Sequence, residues 1–280
     1  MTDFKINEKT TLSVAYHKTH QYLHQYANST IGLPTDIWIP ISTNLPPSFC
    51  HQWSAGIKTL IFKNVTLSSE IFYKKMYNVT DYRDGVILNN IQTNWDDILS
   101  VGKGISYGTE WLIDYNTLRY AVSVAYTYSR SYRRHADIKQ NEWFPYTYDR
   151  PHNANINVQY HFSDSKHISA NWVYASGYLI TVSEGNFYVG DTPYPDLSNR
   201  NNFRTPSYHH LDVAYTTSRQ KKRGTSSWTF GVYNIYAHPN PFGYIYSLKS
   251  LESDRPIKPE LSFISMFTFM PFVSWEFKFK

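Results

Sequence analysis

Polar and apolar residues alternate with a period of two along much of this chain. In residues 153–162 one parity is polar and the other apolar, namely Asn153, Asn155, Asn157, Gln159 and His161 against Ala154, Ile156, Val158, Tyr160 and Phe162. The end of the chain repeats the pattern, with Trp275, Phe277 and Phe279 against Glu276, Lys278 and Lys280. Because successive side chains of a β-strand point to opposite faces, the pattern predicts strands with one polar and one apolar face.

The breaks between these segments alternate between short turns and long loops. Short turns are predicted at 7–9, 63–64, 116–117, 163–166 and 220–225, and long loops at 27–47, 81–103, 135–151, 178–205 and 237–259. The predicted strands are 3–6, 10–26, 51–62, 65–80, 105–115, 118–128, 153–162, 167–177, 207–219, 226–236 and 261–280. Loop 27–47 carries Pro34, Pro40, Pro46 and Pro47, and we expect it to contain no ladder strand.

The alternation of short turns with long loops distinguishes between two fold classes. A soluble β-sandwich would hide its apolar face in a core and use turns of similar length at both ends. A membrane barrel has short turns on one side only, faces lipid with apolar and aromatic residues, and keeps polar residues inside. The pattern therefore predicts an all-β protein, an antiparallel up-and-down transmembrane β-barrel, with about ten full strands and a remnant of another.

Composition agrees with a barrel and disfavours several other classes. Charged residues and aromatic residues are each 18% of the chain, and the mean hydropathy is −0.48. There is no apolar run of about 18 residues, which disfavours membrane-spanning helices. The net charge of +5 is too small to indicate a nucleic-acid partner. The single cysteine, Cys50, excludes an internal disulfide and a multi-cysteine metal site.

Three regions of the chain are distinctive, namely residues 102–110 (GKGISYGTE), 144–153 (FPYTYDRPHN), and 232–236 (VYNIY) with 240–242 (NPF). They resemble segments of TonB-dependent outer-membrane receptors, in the subgroup with a carboxypeptidase-like regulatory domain. In the second segment Pro151 stands where the family usually has a basic residue. Residues 270–279 are similar to the family's last strand, which ends on an aromatic residue, and here Lys280 follows Phe279.

The resemblance implies that residues 1–280 are about the last ten or eleven strands of a 22-stranded barrel around a plug domain. Residues 1–8 lack the basic start and apolar stretch of a secretory signal peptide, and no plug domain is visible. The implied function is TonB-driven uptake of a scarce nutrient through the outer membrane, with no enzymatic activity and no cofactor. The implied partners are outer-membrane lipid, the missing N-terminal barrel half and plug domain, the TonB complex through that missing part, and the barrel-assembly machinery through the C-terminal strand.

Two rival interpretations remain open at this stage. One is an autonomous outer-membrane barrel of about ten strands, acting either as a passive pore or as an outer-membrane hydrolase. The other is a soluble β-rich binding protein, which the one-sided turn lengths disfavour. For the receptor, we expect loops 27–47, 81–103 and 178–205 to capture the ligand, because loops carry recognition on a rigid barrel.

The residues that could act in catalysis or bind a metal do not predict a catalytic, cofactor-binding or metal site. On one continuous strand His20 and His24 share a face and His17 does not, which disfavours a three-ligand metal site. We expect all three to be polar residues of the barrel interior or rim. The sequence has no Gly-x-Ser-x-Gly elbow, no His-Glu-x-x-His helix and no phosphate-cradling glycine loop, and nothing favours a catalytic triad assembled from distant residues.

Three further groups have a structural interpretation. His209 and His210 should point to opposite faces, with His210 beside Asp212 in the interior. Glu110 and Asp114 should face the interior, where pairing with Lys or Arg of neighbouring strands is preferred over contact with solute or plug. The basic run 219–223 is expected to be a solvated turn rather than a nucleic-acid patch.

Overall fold

The computed structural model describes residues 1–26, 37–83, 98–190, 192–196, 198–249 and 258–280. The described residues form twenty strands and one short 3-10 helix, Lys139–Asn141. None of the helical segments in these ranges is long and apolar enough to cross a membrane. The secondary structure of the described residues is therefore almost entirely β-strand, as the alternating pattern predicted.

A single large antiparallel sheet dominates the described residues. Its strands, in spatial order, are β1 (Thr2–Lys5), β2 (Thr10–Gln21), β5 (Ser48–Phe62), β6 (Val65–Tyr82), β7 (Leu99–Asn116), β8 (Tyr120–His135), β10 (His152–Ser163), β11 (Lys166–Ala175), β16 (Tyr208–Lys221), β17 (Gly224–Tyr233) and β20 (Met270–Phe279). A twelfth, β9 (Phe144–Pro145), pairs with the end of β8. The order confirms the predicted meander of about ten full strands and a remnant.

The other strands form four small antiparallel pairs in the described part of the chain. They are β3 (Leu23–Tyr26) with β4 (Ile37–Pro40), β12 (Leu179–Ile180) with β15 (Phe203–Arg204), β13 (Asn186–Val189) with β14 (Thr192–Pro195), and β18 (Pro241–Lys249) with β19 (Lys258–Ser265). All four pairs lie in the long connections.

Strand register separates the two faces across the sheet. One transverse row is apolar and reads Ile113, Val124, Ile156, Trp172 and Leu211. The adjacent row is polar and reads Asp114, Ser123, Asn157, Asn171 and Asp212. A slip of one residue in any strand would exchange its two faces, so the register is set by this pattern. The predicted division into a polar and an apolar face is confirmed.

The short turns all join consecutive strands of the large sheet at one end. They lie close to the predicted positions, with two adjustments. The turn after β7 spans 117–119, and Leu118 is 99% exposed in it rather than beginning the next strand. The basic turn is only Lys222 and Arg223, because the β16–β17 ladder continues to the pair Lys221 and Gly224.

At the opposite end several predicted boundaries are wrong. The predicted strand 10–26 stops at Gln21, and its last four residues form β3, which pairs with β4 inside the predicted loop 27–47. Pro40 is tolerated there because β4 is an edge strand that pairs with β3 alone in the described residues. Residues 99–103 of the predicted loop 81–103 belong to β7, and the predicted loop 178–205 contains β12 to β15. Residues 84–97 of the predicted loop 81–103 lie outside the described residues.

The predicted closing strand 261–280 is two strands in the structure. β19 pairs back onto β18, which occupies part of the predicted loop 237–259, and only β20 joins the large sheet. The chain breaks between them at Phe267, whose φ of 56° lies in the left-handed region. The alternation in residues 275–280 could not reveal this break, because the break lies outside that run.

The apolar face of the large sheet is left largely uncovered in the described residues. Trp53, Trp111, Trp228 and Trp275 are between 44% and 56% exposed on it. The buried hydrophobic cluster lies instead at the long-connection end, where Ile39, Leu45 and Leu99 pack together. An apolar surface this extensive indicates contact with a nonaqueous environment.

Candidate ligand-capture site

A buried carboxylate ties two long connections to the end of β8. The Asp149 side chain is fully buried, and its Oδ2 lies 2.7 Å from Nη2 of Arg204 and 3.4 Å from Nε of Arg130. The backbone N–H of Ser131 donates to the other carboxylate oxygen at 2.7 Å. Arg204 also donates to the carbonyl oxygens of Gly177, at 2.7 Å, and of Asp149. These bonds hold the 136–151 and 176–207 connections in a fixed arrangement.

A second ion pair fixes the 176–207 connection to the end of β6. Nη2 of Arg200 lies 2.6 Å from Oδ1 of Asp81, and both side chains are only 17% exposed. Arg200 Nη1 donates to the Tyr82 carbonyl at 2.8 Å. Next to it, the Asn201 amide donates to the Pro145 carbonyl at 2.8 Å. The described parts of two long connections, together with the ends of β6 and β8, thus form one hydrogen-bonded rim.

His135 is buried at the base of this rim. Its ring is 6.1 Å from that of Phe144, and only 1% of the residue is exposed. Burial lowers the pKa of His135 to about 4, with the Arg133 and Arg200 cations acting in the same direction and Asp81 opposing them. The imidazole is therefore neutral at physiological pH, and it fills space rather than carrying charge.

Glycines in residues 102–110 make room for side chains on the polar face. A Cβ at Gly102 would lie 2.6 Å from Cγ of His135, and one at Gly108 would lie 2.9 Å from the Phe72 ring. A Cβ at Gly104 would lie 2.9 Å from a guanidinium nitrogen of Arg133. The spacing of these glycines, all of one parity, thus reflects close packing on one face of β7.

A polar cavity opens on the same face, at the ends of β2, β5 and β6. Its volume is about 370 Å³, and its lining includes Ser48, Cys50, Met76, Arg133 and Tyr146. The Arg133 guanidinium lies 4.2 Å from the centre of the Tyr146 ring and 3.9 Å from the Met76 sulfur. A fixed cation beside an aromatic ring favours a polar or anionic solute over a metal cation.

The three histidines of the N-terminal region do not form a site. The prediction that His20 and His24 share a face of one strand is wrong, because that strand ends at Gln21. His20 stacks on Tyr22 with ring centres 6.3 Å apart, whereas buried His24 lies 3.4 Å from Oγ1 of Thr80. Within the described ranges, no group of three or more His, Cys, Asp or Glu residues could hold a metal ion.

The second histidine pair follows the prediction. His210 is buried, with its Nε2 3.3 Å from Oδ2 of Asp212, and Asp212 also accepts the Asn234 backbone N–H at 2.9 Å. His209 lies on the opposite face, where its ring stacks on His238 at 3.8 Å. The expected division of His209 and His210 between two faces is confirmed.

The acidic residues of β7 do not pair as expected. Glu110 lies opposite Glu70 and Thr127, and Asp114 lies opposite Thr66 and Ser123. The ion pairs found among the described residues include neither carboxylate, so the preferred pairing with Lys or Arg is wrong. Residues 219–223 are all exposed, in agreement with a solvated turn.

The Asp149 network was missed by the sequence analysis. Its members lie in β8 and in two long connections. Members that bond to one another are separated by up to 55 residues in the sequence. No periodicity or spacing links them, since loops have no fixed geometry until they pack. The segment 144–153 was noticed only for its resemblance, and Asp149 lies within it.

Comparisons with known proteins agree with this architecture. A family model described as "TonB dependent receptor-like, beta-barrel" matches residues 3–235. Among solved structures, the ferric yersiniabactin uptake receptor FyuA of Yersinia pestis is 12% identical, with a TM-score of 0.57 over 99% of this chain and 36% of that one. The ferric-catecholate import receptor Fiu of E. coli is 17% identical, with a TM-score of 0.55 over 85% and 30%.

A third structure, the ferric preacinetobactin receptor BauA of Acinetobacter baumannii, is 13% identical, with a TM-score of 0.55 over 98% of this chain and 35% of that one. The chain therefore spans about a third of the length of these structures. At such identities the likeness concerns the fold alone. No curated protein matches the sequence.

Proposed function

The chain belongs to the TonB-dependent receptor-like β-barrel family of the outer membrane, and on that premise we propose that it forms the C-terminal part of the wall of a nutrient-uptake receptor. It is a transport barrel rather than an enzyme. The apolar face of the sheet contacts lipid and the polar face lines the interior. The observation that carries the proposal is the register of eleven sheet strands, which keeps these faces apart across the whole sheet.

The rest of the barrel is proposed to come from further strands of a longer receptor. In the described residues β1 and β20 end the sheet, and each pairs along one edge only. Unpaired N–H and C=O groups cannot be satisfied in lipid, so both edges require partner strands. We propose that an N-terminal barrel half supplies them and encloses a plug domain, that the TonB complex acts through that part, and that the barrel-assembly machinery reads the strand ending at Phe279.

The long-connection rim is the proposed place of ligand capture. The Asp149 and Asp81 ion pairs hold it rigid, and the cavity beside Arg133 and Tyr146 opens beneath it. We propose a scarce nutrient carried as a polar or anionic complex. Ferric chelates are the first compounds to test, because the solved structures named above are receptors for such complexes. The resemblance in residues 102–110 and 144–153 supports the subgroup with a carboxypeptidase-like regulatory domain.

Growth and conductance together test this function. The gene that encodes the complete receptor is deleted and restored in strains with and without TonB, on media that supply iron only as defined ferric chelates. We expect at least one chelate to support growth only when the gene and TonB are both present. Growth that needs the gene but not TonB, together with steady conductance of the purified protein in planar bilayers, would favour the passive-pore alternative.

The need for partner strands has its own test. The 280-residue chain, expressed alone with an added signal peptide, should be poorly folded, degraded by protease and unable to support uptake. A protease-resistant, heat-modifiable monomer in the outer membrane would show that the sheet closes by itself. The autonomous small barrel would then become the better interpretation.

A further inference from the structure

A basic and aromatic surface lies on the lipid-facing side of the sheet, near its long-connection end. Across adjacent strands β2, β5 and β6, the residues Lys18, His51 and Lys75 are direct register partners. They share the parity of Tyr16, Trp53 and Tyr73, which form the neighbouring lipid-facing row. We call the first three residues, with Phe49 and Tyr77, the Lys18–Lys75 surface.

The side chains of this surface are held by one another. The Phe49 and Tyr77 rings stack with centres 4.8 Å apart and planes 13° from parallel. The Lys18 ammonium lies 5.6 Å from the centre of the Phe49 ring, and the Lys75 ammonium lies 5.4 Å from that of Tyr77. Two cations thus flank a flat aromatic platform, an arrangement that cation–π attraction stabilises.

His51 completes the row between the two lysines. The Tyr16 hydroxyl lies 2.7 Å from Nδ1 of His51. When this hydroxyl donates to Nδ1, the imidazole proton is on Nε2, where it is available to an acceptor outside the protein. The ring also meets the Phe49 ring edge-on, with centres 5.7 Å apart. The surface therefore offers two ammonium groups and one N–H donor beside stacked rings.

In the described residues, the strand segments that carry this surface contain no acidic side chain that could neutralise its charge. Residues 16–21, 48–53 and 73–79 contain neither Asp nor Glu. The ion pairs of the described residues do not include Lys18 or Lys75. Lys103 and Arg134, which are register partners of each other, extend the basic face along the same rim. The surface is complementary to an anion.

The position of Lys75 along β6 places the Lys18–Lys75 surface at the level of the lipid headgroups. Ten residues separate Val65, next to the short turn, from Lys75. That is about 33 Å along the strand, or about 25 Å along the barrel axis at a tilt of about 40°. The apolar band of such barrels is about 25 Å tall. With short turns on the periplasmic side, Lys75 stands at the outer edge of the band, one row beyond the aromatic residues Trp53 and Tyr73.

We propose that the Lys18–Lys75 surface binds the phosphorylated sugar headgroup of an outer-leaflet glycolipid. The ammonium groups and His51 contact the phosphate, and the Phe49–Tyr77 platform packs against the sugar ring. An anionic phospholipid would use the charges but not the platform. The row of Lys18, His51 and Lys75 lies on the face of the sheet opposite the interior, so lipid binding there does not depend on which ligand the receptor carries.

Binding of purified lipid A to the complete receptor in detergent, measured by native mass spectrometry, tests the proposal. The variant Lys18→Gln with Lys75→Gln should bind diphosphorylated lipid A roughly 25-fold more weakly than wild type, since each lysine near an anionic surface contributes about fivefold. The matched control is Lys58→Gln with Lys74→Gln, which removes two lysines from the interior face of β5 and β6. It should bind as wild type does.

Three further binding measurements could refute the proposal. Lipid A without its phosphates should bind to wild type as weakly as diphosphorylated lipid A binds to the double Gln variant. Phe49→Leu should weaken the binding of lipid A and leave the binding of phosphatidylglycerol unchanged. If the double Gln variant does not fold, as judged by heat-modifiable migration, Lys18→Arg with Lys75→Arg should retain binding within about threefold of wild type. Wild-type affinity in the double Gln variant, or equal affinity for phosphatidylglycerol and lipid A, would overturn the proposal.

Discussion

Placing an arginine on the lipid-facing row at Val124 should destabilise the barrel strongly. Val124 lies between Ile113 of β7 and Ile156 of β10 in the apolar row. It is four residues beyond Tyr120, where β8 begins, which is about 10 Å above the short-turn end along the barrel axis. The middle of an apolar band about 25 Å tall lies about 12 Å above that end. Val124 is therefore close to the bilayer midplane.

The expected magnitude follows from that depth. An arginine on the lipid face costs roughly 2–4 kcal/mol at the midplane and about 0–1 kcal/mol near the interfaces. Val124→Arg should show the full cost, and Val122→Arg a smaller one because it lies nearer the short turns. Ser123→Arg, on the polar face beside Asp114 and Asn157, should cost well under 1 kcal/mol, since its guanidinium stays in a hydrated interior.

Reversible unfolding of the complete receptor in lipid vesicles, titrated with urea and followed by tryptophan fluorescence, measures these costs. Vesicles of thinner bilayer provide a control, because they bring both lipid-facing positions nearer an interface and should reduce both penalties. If Val124→Arg and Ser123→Arg lose the same free energy of unfolding, the alternation does not divide lipid from interior. The assignment of the two faces would then be incorrect.

Three other changes test the rim and the packing beneath it. Asp149→Ala should lower the free energy of unfolding by about 3 kcal/mol, because it leaves Arg130 and Arg204 without their buried partner, and limited proteolysis should then cut the 136–151 connection faster. For His135, the folded pKa of about 4 lies below the unfolded 6.5, so its stabilising contribution is complete above pH 6.5 and is lost as the pH falls toward 4. Chemical unfolding at several pH values should show that loss in wild type and not in His135→Gln. Gly108→Ala should lower the melting temperature, whereas Gly185→Ala, which meets no atom within 4 Å, should not.

The sequence alone determined the fold class, the strand order and the two faces. These properties depend on a period of two and on the lengths of the breaks, and both are local. The alternation in residues 153–162 appears in the structure as the register of β10 with β8 and β11. The same local signal predicted the division of His209 from His210, because neighbouring residues of any strand face opposite ways.

Only the tertiary structure decided which strands pair at the long-connection end of the sheet and which ion pairs form there. β3 pairs with β4 rather than extending β2, and β19 pairs with β18 rather than extending β20. In both cases the local sequence does not show the partner, because the choice of partner depends on which segments come together in space. Asp149 meets Arg204 for the same reason, although 55 residues separate them. Periodicity reports which way a side chain faces, whereas a partner across the sheet or in a loop is fixed only when the chain has packed.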